Sequence, residues 1–357
     1  MKLLINLSML GPRPTGLGVY AGHCARAADA AFDAEVIAPP SYRGDAHVAL
    51  RSPQNIVLGA GRAAPIRRWI WARQRSRPAD RLVYSPTHHG FAGEPGQILT
   101  IHDLIALRFP AQHPVQHLFF RHLLPRELGR CRAVFTVSET TKADLHEHYG
   151  YPLASIHVVP NGVDRGVFRR AASQTARDNF LLMVGAAYAH KNVDEVLERA
   201  ALWQPRFSLV VASCRGAYRK HLEAIVRARG LGAKVRFIDY VEPAELVRLY
   251  QRCAAFVCPS KWEGFGIPAL EALACGARVI ASDIPAHREV LGSAATFVTL
   301  GDAASWEAAL ADLATPDRAA PVAGAPSPLE RFTWPRSAHA LVAAFEAVEP
   351  ALGRATR

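Results

Sequence analysis

Chemistry concentrates in the stretch Ser260-Lys-Trp-Glu263-Gly-Phe-Gly-Ile-Pro268-Ala-Leu-Glu271-Ala, which runs on to Gly276. It follows the apolar run Ala255–Cys258, which reads as a buried strand. Gly264 and Gly266 permit positive φ and close approach of backbone N–H groups to a ligand. Pro268 suits the start of a helix and Gly276 the residue just past its end. The segment therefore reads as strand, glycine turn and helix, and a helix N-terminus attracts an anion such as phosphate. Glu263 falls in the turn and Glu271 in the first turns of the helix. Two carboxylates beside an anion-binding turn make sense if they hold hydroxyls, for instance those of a sugar and a ribose. The plainer alternative is a glycine turn with one capping and one surface glutamate.

Two further places invite a ligand. Gly16-x-Gly18-x-x-Ala21 has the spacing of a dinucleotide fingerprint, which requires glycines directly after the first strand and an acid near the end of the second. Here Pro12 and Pro14 intervene, and the second strand ends Val36-Ile37-Ala38 without an acid, so a nicotinamide enzyme is disfavoured. His102 and Asp103 end a central strand, where open α/β sheets place their ligands. His88-His89 either lines a ligand cleft or is an ordinary loop pair, and His287 reads as structural or surface.

These residues hang on a regular scaffold. Apolar runs at Leu3–Leu7, Glu35–Ala38, Leu82–Tyr84, Ile98–His102, Ala133–Ser138 and His157–Val159 alternate with helical stretches. So do Phe180–Val184, Phe207–Ala212, Val235–Ile238, Ala255–Cys258, Arg278–Ala281 and Ala295–Val298. Continuous hydrophobicity marks parallel strands buried on both faces, and intervening helices make βαβ units. Twelve strands exceed a usual single sheet, so two doubly wound domains are expected. The seam lies between Asn161 and Asn179, where Asn161-Gly162 and Arg165-Gly166 interrupt a polar run. Thr315–Pro328, rich in Ala, Pro and Gly, reads as a surface connection, and Trp334–Val348 as a closing amphipathic helix.

Glu263 and Glu271, separated by seven residues, resemble the EX7E signature of retaining glycosyltransferases of family four, which have the GT-B fold. Other stretches match in order: Gly16-Leu-Gly18-Val-Tyr, Thr100-Ile-His102-Asp103-Leu, Thr136-Val-Ser138, Val158-Val-Pro160-Asn-Gly162-Val-Asp164, Gly185 with His190-Lys191-Asn192, and Ser282-Asp283-Ile-Pro285. The resemblance covers roughly residues 1–345. It implies two Rossmann-like domains facing across a cleft, residues 1–165 for the acceptor and 166–335 for a nucleotide sugar, with 336–357 as a C-terminal helix crossing back and a tail. Lys191 would clamp the donor diphosphate, since a point ammonium neutralises a leaving group whose charge grows as the glycosidic bond breaks. Gly16, Gly18, Gly185 and the backbone of Gly264, Phe265, Gly266 and Ile267 would face the diphosphate and sugar edge. Glu263 would hold donor-sugar hydroxyls, Glu271 the ribose, and Tyr240-Val241 the base. His102 and Asp103 would lie near the reacting centre. Many family members carry Arg where this chain has His190 and Ala186, and Arg13 is a candidate substitute.

Composition narrows the rest. Of 357 residues 50% are hydrophobic and 20% charged, which excludes a disordered or fibrous chain. The longest apolar stretch, Phe180–Ala189, falls far short of the ~20 residues of a membrane span. Met1–Leu10 reads as a first strand rather than a signal peptide. Six cysteines without metal-ligand spacing suit a reducing compartment and no structural zinc. The net charge is +11; residues 1–165 hold 19 Lys and Arg against 12 Asp and Glu, and so carry +7 of it. Arg62 to Arg77 holds six arginines and no acid around Trp69, Ile70 and Trp71, a pattern suited to an anionic membrane surface or to a plain surface helix. No recognition module accompanies the charge, so no specific nucleic-acid partner is expected.

The sequence therefore predicts a cytoplasmic, metal-independent hexosyltransferase with no resident cofactor, the nucleotide sugar being a substrate. Its partners would be a donor, best matched by GDP-mannose, a glycan or lipid-linked saccharide acceptor, and the inner face of a membrane. A non-hydrolysing sugar-nucleotide epimerase and a non-catalytic nucleotide-sugar-binding subunit are the rival readings.

Overall fold

The computed structural model describes all residues except 12–14, 45, 58–59, 62, 74–80, 173–176, 314–325 and 356–357. The chain divides into two compact units, Met1–Gly162 together with Trp334–Arg357, and Val163–Thr333.

The first unit is a seven-stranded parallel sheet. Its strands are β1 (Lys2–Asn6), β2 (Ala34–Ala38), β3 (Val48–Arg51), β4 (Arg81–Ser85), β5 (Ile98–Ile101), β6 (Ala133–Thr136) and β7 (Ile156–Val158), in the order β3-β2-β1-β4-β5-β6-β7. The order reverses direction at β1 and β4, and open α/β sheets bind their ligands at the carboxyl ends of strands flanking such a switch. Tyr84, Ile98, Leu99, Ile101, Val134 and Phe135 are all buried, as the uninterrupted apolar runs require. The strand β3 was not expected from the sequence. It lies at the sheet edge and its residues are alternately half-buried and exposed, so its run is too polar to mark a buried strand.

The helix Trp334–Val348 belongs to this unit although it ends the chain. Phe345 sits edge-on to Phe32, Tyr84 and Phe135, with ring centroids 5.6, 5.1 and 5.3 Å apart. Trp334 stacks on His23 of the first helix at 3.7 Å. Burying a phenylalanine side chain stabilises by about 2 kcal/mol, so this helix is bound to the first sheet by its apolar face.

The second unit is a six-stranded parallel sheet: β8 (Phe180–Val184), β9 (Ser208–Ala212), β10 (Val235–Ile238), β11 (Ala255–Cys258), β12 (Val279–Ser282) and β13 (Thr296–Val298), ordered β10-β9-β8-β11-β12-β13. Here the order switches between β8 and β11. Both units are thus Rossmann-like α/β layers, as the alternating runs predict. Among the described residues no helix is long and apolar enough to cross a membrane.

Candidate active site

In the second unit the carboxyl ends of the central strands β8, β11 and β12 converge on one ion pair. After β8 the chain turns at Gly185, whose φ of +78° is open to glycine at little cost. It then forms a tight turn, Ala189–Lys191, that ends on Asn192 in the left-handed region, φ +58°. Asparagine tolerates that conformation better than most residues, and here the Asn192 amide donates to Glu195 at 2.7 Å. Glu195 also accepts from the backbone N–H of Gly301 at 2.7 Å and the Trp306 indole at 3.0 Å. The turn carrying Lys191 is therefore fixed from below.

Lys191 Nζ donates to Glu263 Oε1 at 2.6 Å, and Ser260 Oγ donates to the same oxygen at 2.6 Å. Their side chains are only 22% and 13% exposed. Burial opposes the charge on Glu263, but the Lys191 ammonium and these hydrogen bonds outweigh it and hold the carboxyl at about 2. Glu263 is thus a fixed anion. A third group, His287, comes from the helix Pro285–Leu291 after β12. Its Nδ1–H donates to the Ser282 carbonyl at 3.0 Å, which leaves Nε2 as the acceptor, and burial holds its pKa below the usual imidazole range. Lys191, Ser260, Glu263, Gly266, Pro268 and His287 line a cavity of about 20 Å³, room for a single water.

Gly266 is needed twice over. Its φ is +92°, and a Cβ there would lie 3.3 Å from His287 Cδ2. Gly264, expected to share that freedom, has no positive φ. Ile267–Ala274 starts directly after Gly266 with Pro268 in its first turn and no side-chain cap, so the helix leaves its first N–H groups to a ligand. Phe265 is buried edge-on to Phe332 at 5.1 Å, which anchors the turn.

Glu271 lies apart from the Lys191–Glu263 pair. Tyr250 Oη donates to Glu271 Oε2 at 3.1 Å, and burial pushes the carboxyl up to about 7. It is thus half-ionised near neutrality, unlike Glu263. Tyr240 and Val241 follow the end of β10; the tyrosine is exposed and the valine buried. His190, a donor-binding candidate by the resemblance, has its ring buried and stacked on Tyr188 at 5.9 Å, while its carbonyl accepts from Lys261 N–H. The stacking and the carbonyl contact brace the loop that carries Lys191.

In the first unit, Gly16 and Gly18 begin the helix Gly16–Ala31 instead of forming a loop, and Thr15 caps it by accepting from Gly18 N–H at 3.2 Å. Pro12, Arg13 and Pro14 lie outside the described residues. His102 follows β5; its Nε2–H donates to the Pro86 carbonyl at 3.0 Å, leaving Nδ1 as an acceptor. Burial lowers its pKa to about 4, so the ring is neutral, and the Tyr20 ring packs against it at 4.8 Å. Asp103 accepts from Ile105 N–H at 3.0 Å, a contact that shapes the turn after His102.

The basic segment also differs from its reading. In the helix Ala64–Arg73, Ile66, Arg67, Trp69, Ile70 and Arg73 face outward, whereas Arg68, Trp71 and Ala72 are buried. Arg68 therefore leaves the surface patch, and Arg62, Arg75 and Arg77 lie outside the described residues. Sequence reading missed Arg68 and His287. Arg68 shares a helical face with Ala64, Trp71 and Ala72, a spacing that could have revealed it.

Two parallel sheets, each with a switch point of the kind that takes ligands, and a Lys–Glu pair beside an open helix N-terminus define a two-unit, Rossmann-like α/β protein with an anion-binding strand end in the second unit. The comparisons say which family this is. Residues 164–318 match the family described as "Glycosyl transferases group 1", and residues 14–166 that described as "Glycosyltransferase Family 4". The chain is similar to the O-antigen chain mannosyltransferase RfbU of Salmonella typhimurium, 30% identical over 323 residues, covering 87% of this chain and 90% of that one. It is also similar to O-antigen chain mannosyltransferase B of Escherichia coli, 25% identical over 68% of this chain and 66% of that one. Among solved structures, WaaG, a glycosyltransferase involved in lipopolysaccharide biosynthesis, superposes over 98% of both chains with a TM-score of 0.62 at 19% identity. HepE of Anabaena, solved with UDP-glucose, does so over 98% of this chain and 95% of its own, with a TM-score of 0.65 at 16% identity. This chain belongs to glycosyltransferase family 4 and has the GT-B architecture of two Rossmann-like α/β units.

Proposed function

We propose that the chain is a retaining, metal-independent mannosyltransferase that moves mannose from GDP-mannose to a lipid-linked glycan during bacterial polysaccharide assembly. The observation that carries the reading is the buried Lys191–Glu263 pair at the ends of β8 and β11. An ammonium has three protons, so Lys191 can keep Glu263 and still present an N–H to a diphosphate oxygen. Glu263, held ionised, accepts from sugar hydroxyls and stabilises the positive charge that builds at the anomeric carbon as the diphosphate leaves. The N–H groups of Gly266 and Ile267 meet the diphosphate at the helix start. Glu271 accepts from ribose hydroxyls, with Tyr240 and Val241 beside the base. In the first unit His102 offers Nδ1 to a hydroxyl, and Asp103 positions it through its turn. Likeness to two curated mannosyltransferases supports mannose as the transferred sugar. The test is incubation with a panel of nucleotide sugars while following nucleoside diphosphate release. Release from GDP-mannose with an α-linked product supports the reading. Epimerised donor would indicate an epimerase, and binding without turnover a non-catalytic subunit.

The outward face of Ala64–Arg73 supports peripheral attachment at the inner membrane face. Ile66, Trp69 and Ile70 are 63%, 40% and 44% exposed, and Arg73 lies over the Trp69 ring at 5.0 Å. Arg67 is exposed beside them. Indoles with adjacent arginines suit an anionic interface.

A further inference from the structure

Arg68 is 6% exposed, and no carboxylate pairs with it among the described residues. Burial lowers its pKa only to about 10, so the guanidinium stays charged at neutrality. Its Nε–H donates to the Ile56 carbonyl at 2.8 Å, and one terminal nitrogen donates to the His89 ring at 3.3 Å. His89 accepts through one ring nitrogen and so carries its proton on the other. The ring of His88 lies 4.0 Å from that of His89. Both rings are neutral, held far below the usual imidazole range by burial first, then by His102 and Arg68 in the case of His88 and by His88 and Arg68 in the case of His89. His102, also neutral, couples to both.

The group is built rather than incidental. Asn6, at the end of β1, donates to the His89 carbonyl at 2.9 Å and to Ser85 Oγ at 3.0 Å, while its own carbonyl accepts from Ser8 Oγ at 2.6 Å. These contacts tie the end of β1 to the segment after β4. The cluster therefore sits where the first sheet switches direction, the position at which open α/β sheets take ligands. An unpaired buried cation is costly unless an anion completes it. Planar guanidinium suits phosphate oxygens, and a neutral imidazole N–H adds a donor without competing charge.

We propose that Arg68 with His89 forms an anion subsite in the first unit that binds a phosphate or diphosphate ester of the acceptor. The inference rests on the transferase reading above and deepens it by naming the acceptor's chemistry. The saccharide would be fixed by its ester, so that a hydroxyl is presented near His102.

The test uses the full chain with GDP saturating the donor site and inorganic pyrophosphate as probe. Calorimetry should show saturable pyrophosphate binding that Arg68→Met weakens at least about tenfold and Arg68→Lys weakens less. With acceptors, Arg68→Met should raise KM for a saccharide carrying an alkyl diphosphate by a similar factor and leave KM for the same saccharide without phosphate within about twofold. A saccharide 1-phosphate separates the sources: an effect confined to the diphosphate identifies a lipid-linked acceptor, and an equal effect a soluble phosphate ester. Should the variants misfold, the imidazole ¹⁵N signals of His89 and His102 in the unaltered protein should shift with pyrophosphate while that of His287 does not. Absence of binding, equal binding by wild type and Arg68→Met, or unmoved His89 signals would each overturn the subsite and leave the transferase reading standing. Failure of any nucleotide sugar to turn over, with pyrophosphate still bound at Arg68, would instead overturn the transferase reading.

Discussion

At the end of the second sheet a buried lysine meets a buried glutamate at 2.6 Å, and the pair is neutral as a unit. At the end of the first sheet a buried arginine meets one neutral histidine and a backbone carbonyl, and no carboxylate among the described residues cancels its charge. The strand topology is alike in both places; the electrostatics differ. The difference suits the ligands proposed for each end: hydroxyls beside a diphosphate call for an anion and a cation together, whereas an ester anion calls for the cation alone.

Substitutions can break or sharpen that contrast. The largest effect is expected from Glu263→Gln, which removes the fixed anion: kcat for mannosyl transfer should fall about 10²–10³-fold while GDP affinity by calorimetry changes within about twofold. Loss of GDP affinity with kcat intact would reverse the roles of the two glutamates. Next is Lys191→Met, which leaves Glu263 buried without its cation. Urea denaturation should show a loss of about 3 kcal/mol, whereas Arg68→Met, which removes a cation already unpaired, should lose far less. Equal losses would erase the contrast.

Glu271 offers a pH-resolved test. Its folded pKa of about 7 lies above the ordinary carboxyl value, so the folded state holds a proton that the unfolded state releases. That contribution is full below about pH 4 and is lost as pH rises through 7. Glu271→Gln lacks the loss and should be more stable than wild type by roughly 3–4 kcal/mol at pH 8, with the gain vanishing near pH 4. The same variant should raise the donor KM about tenfold with little change in kcat. A stability difference independent of pH would show that burial does not raise this carboxyl.

Smaller still is the effect expected at the proposed membrane-facing helix. Reversing or neutralising Arg67 and Arg73 should cost about 1 kcal/mol each in flotation with anionic vesicles, and high salt should abolish the difference. Binding unchanged by both substitutions would remove this face from consideration. The smallest effect is expected from chelation. On the proposed reading Lys191 and the helix N-terminus stabilise the leaving diphosphate without a metal, so EDTA should alter turnover by less than about twofold. Turnover that stops and is restored by magnesium would overturn that balance.

The sequence by itself determined the alternation of buried strands and helices, because parallel strands covered on both faces must be apolar along their length. It also determined the strand–turn–helix around Glu263, since Gly266 and Pro268 admit few other backbones, and the closing helix Trp334–Val348, from its apolar period. The edge strand β3 escaped because an edge needs no continuous apolar run. What only the tertiary structure decided is which charged and titratable side chains face one another. Lys191 and Glu263 are 72 residues apart and meet because β8 and β11 are neighbours in the sheet. His287 joins them from the helix that follows the next strand, β12, and Glu271 finds Tyr250 instead of a cation. Arg68 turns inward while Arg67 and Arg73 turn out, because successive helical residues point about 100° apart and one face of Ala64–Arg73 is buried. Local propensity acts over a few residues; ionisation and burial depend on neighbours that the sheet order alone supplies.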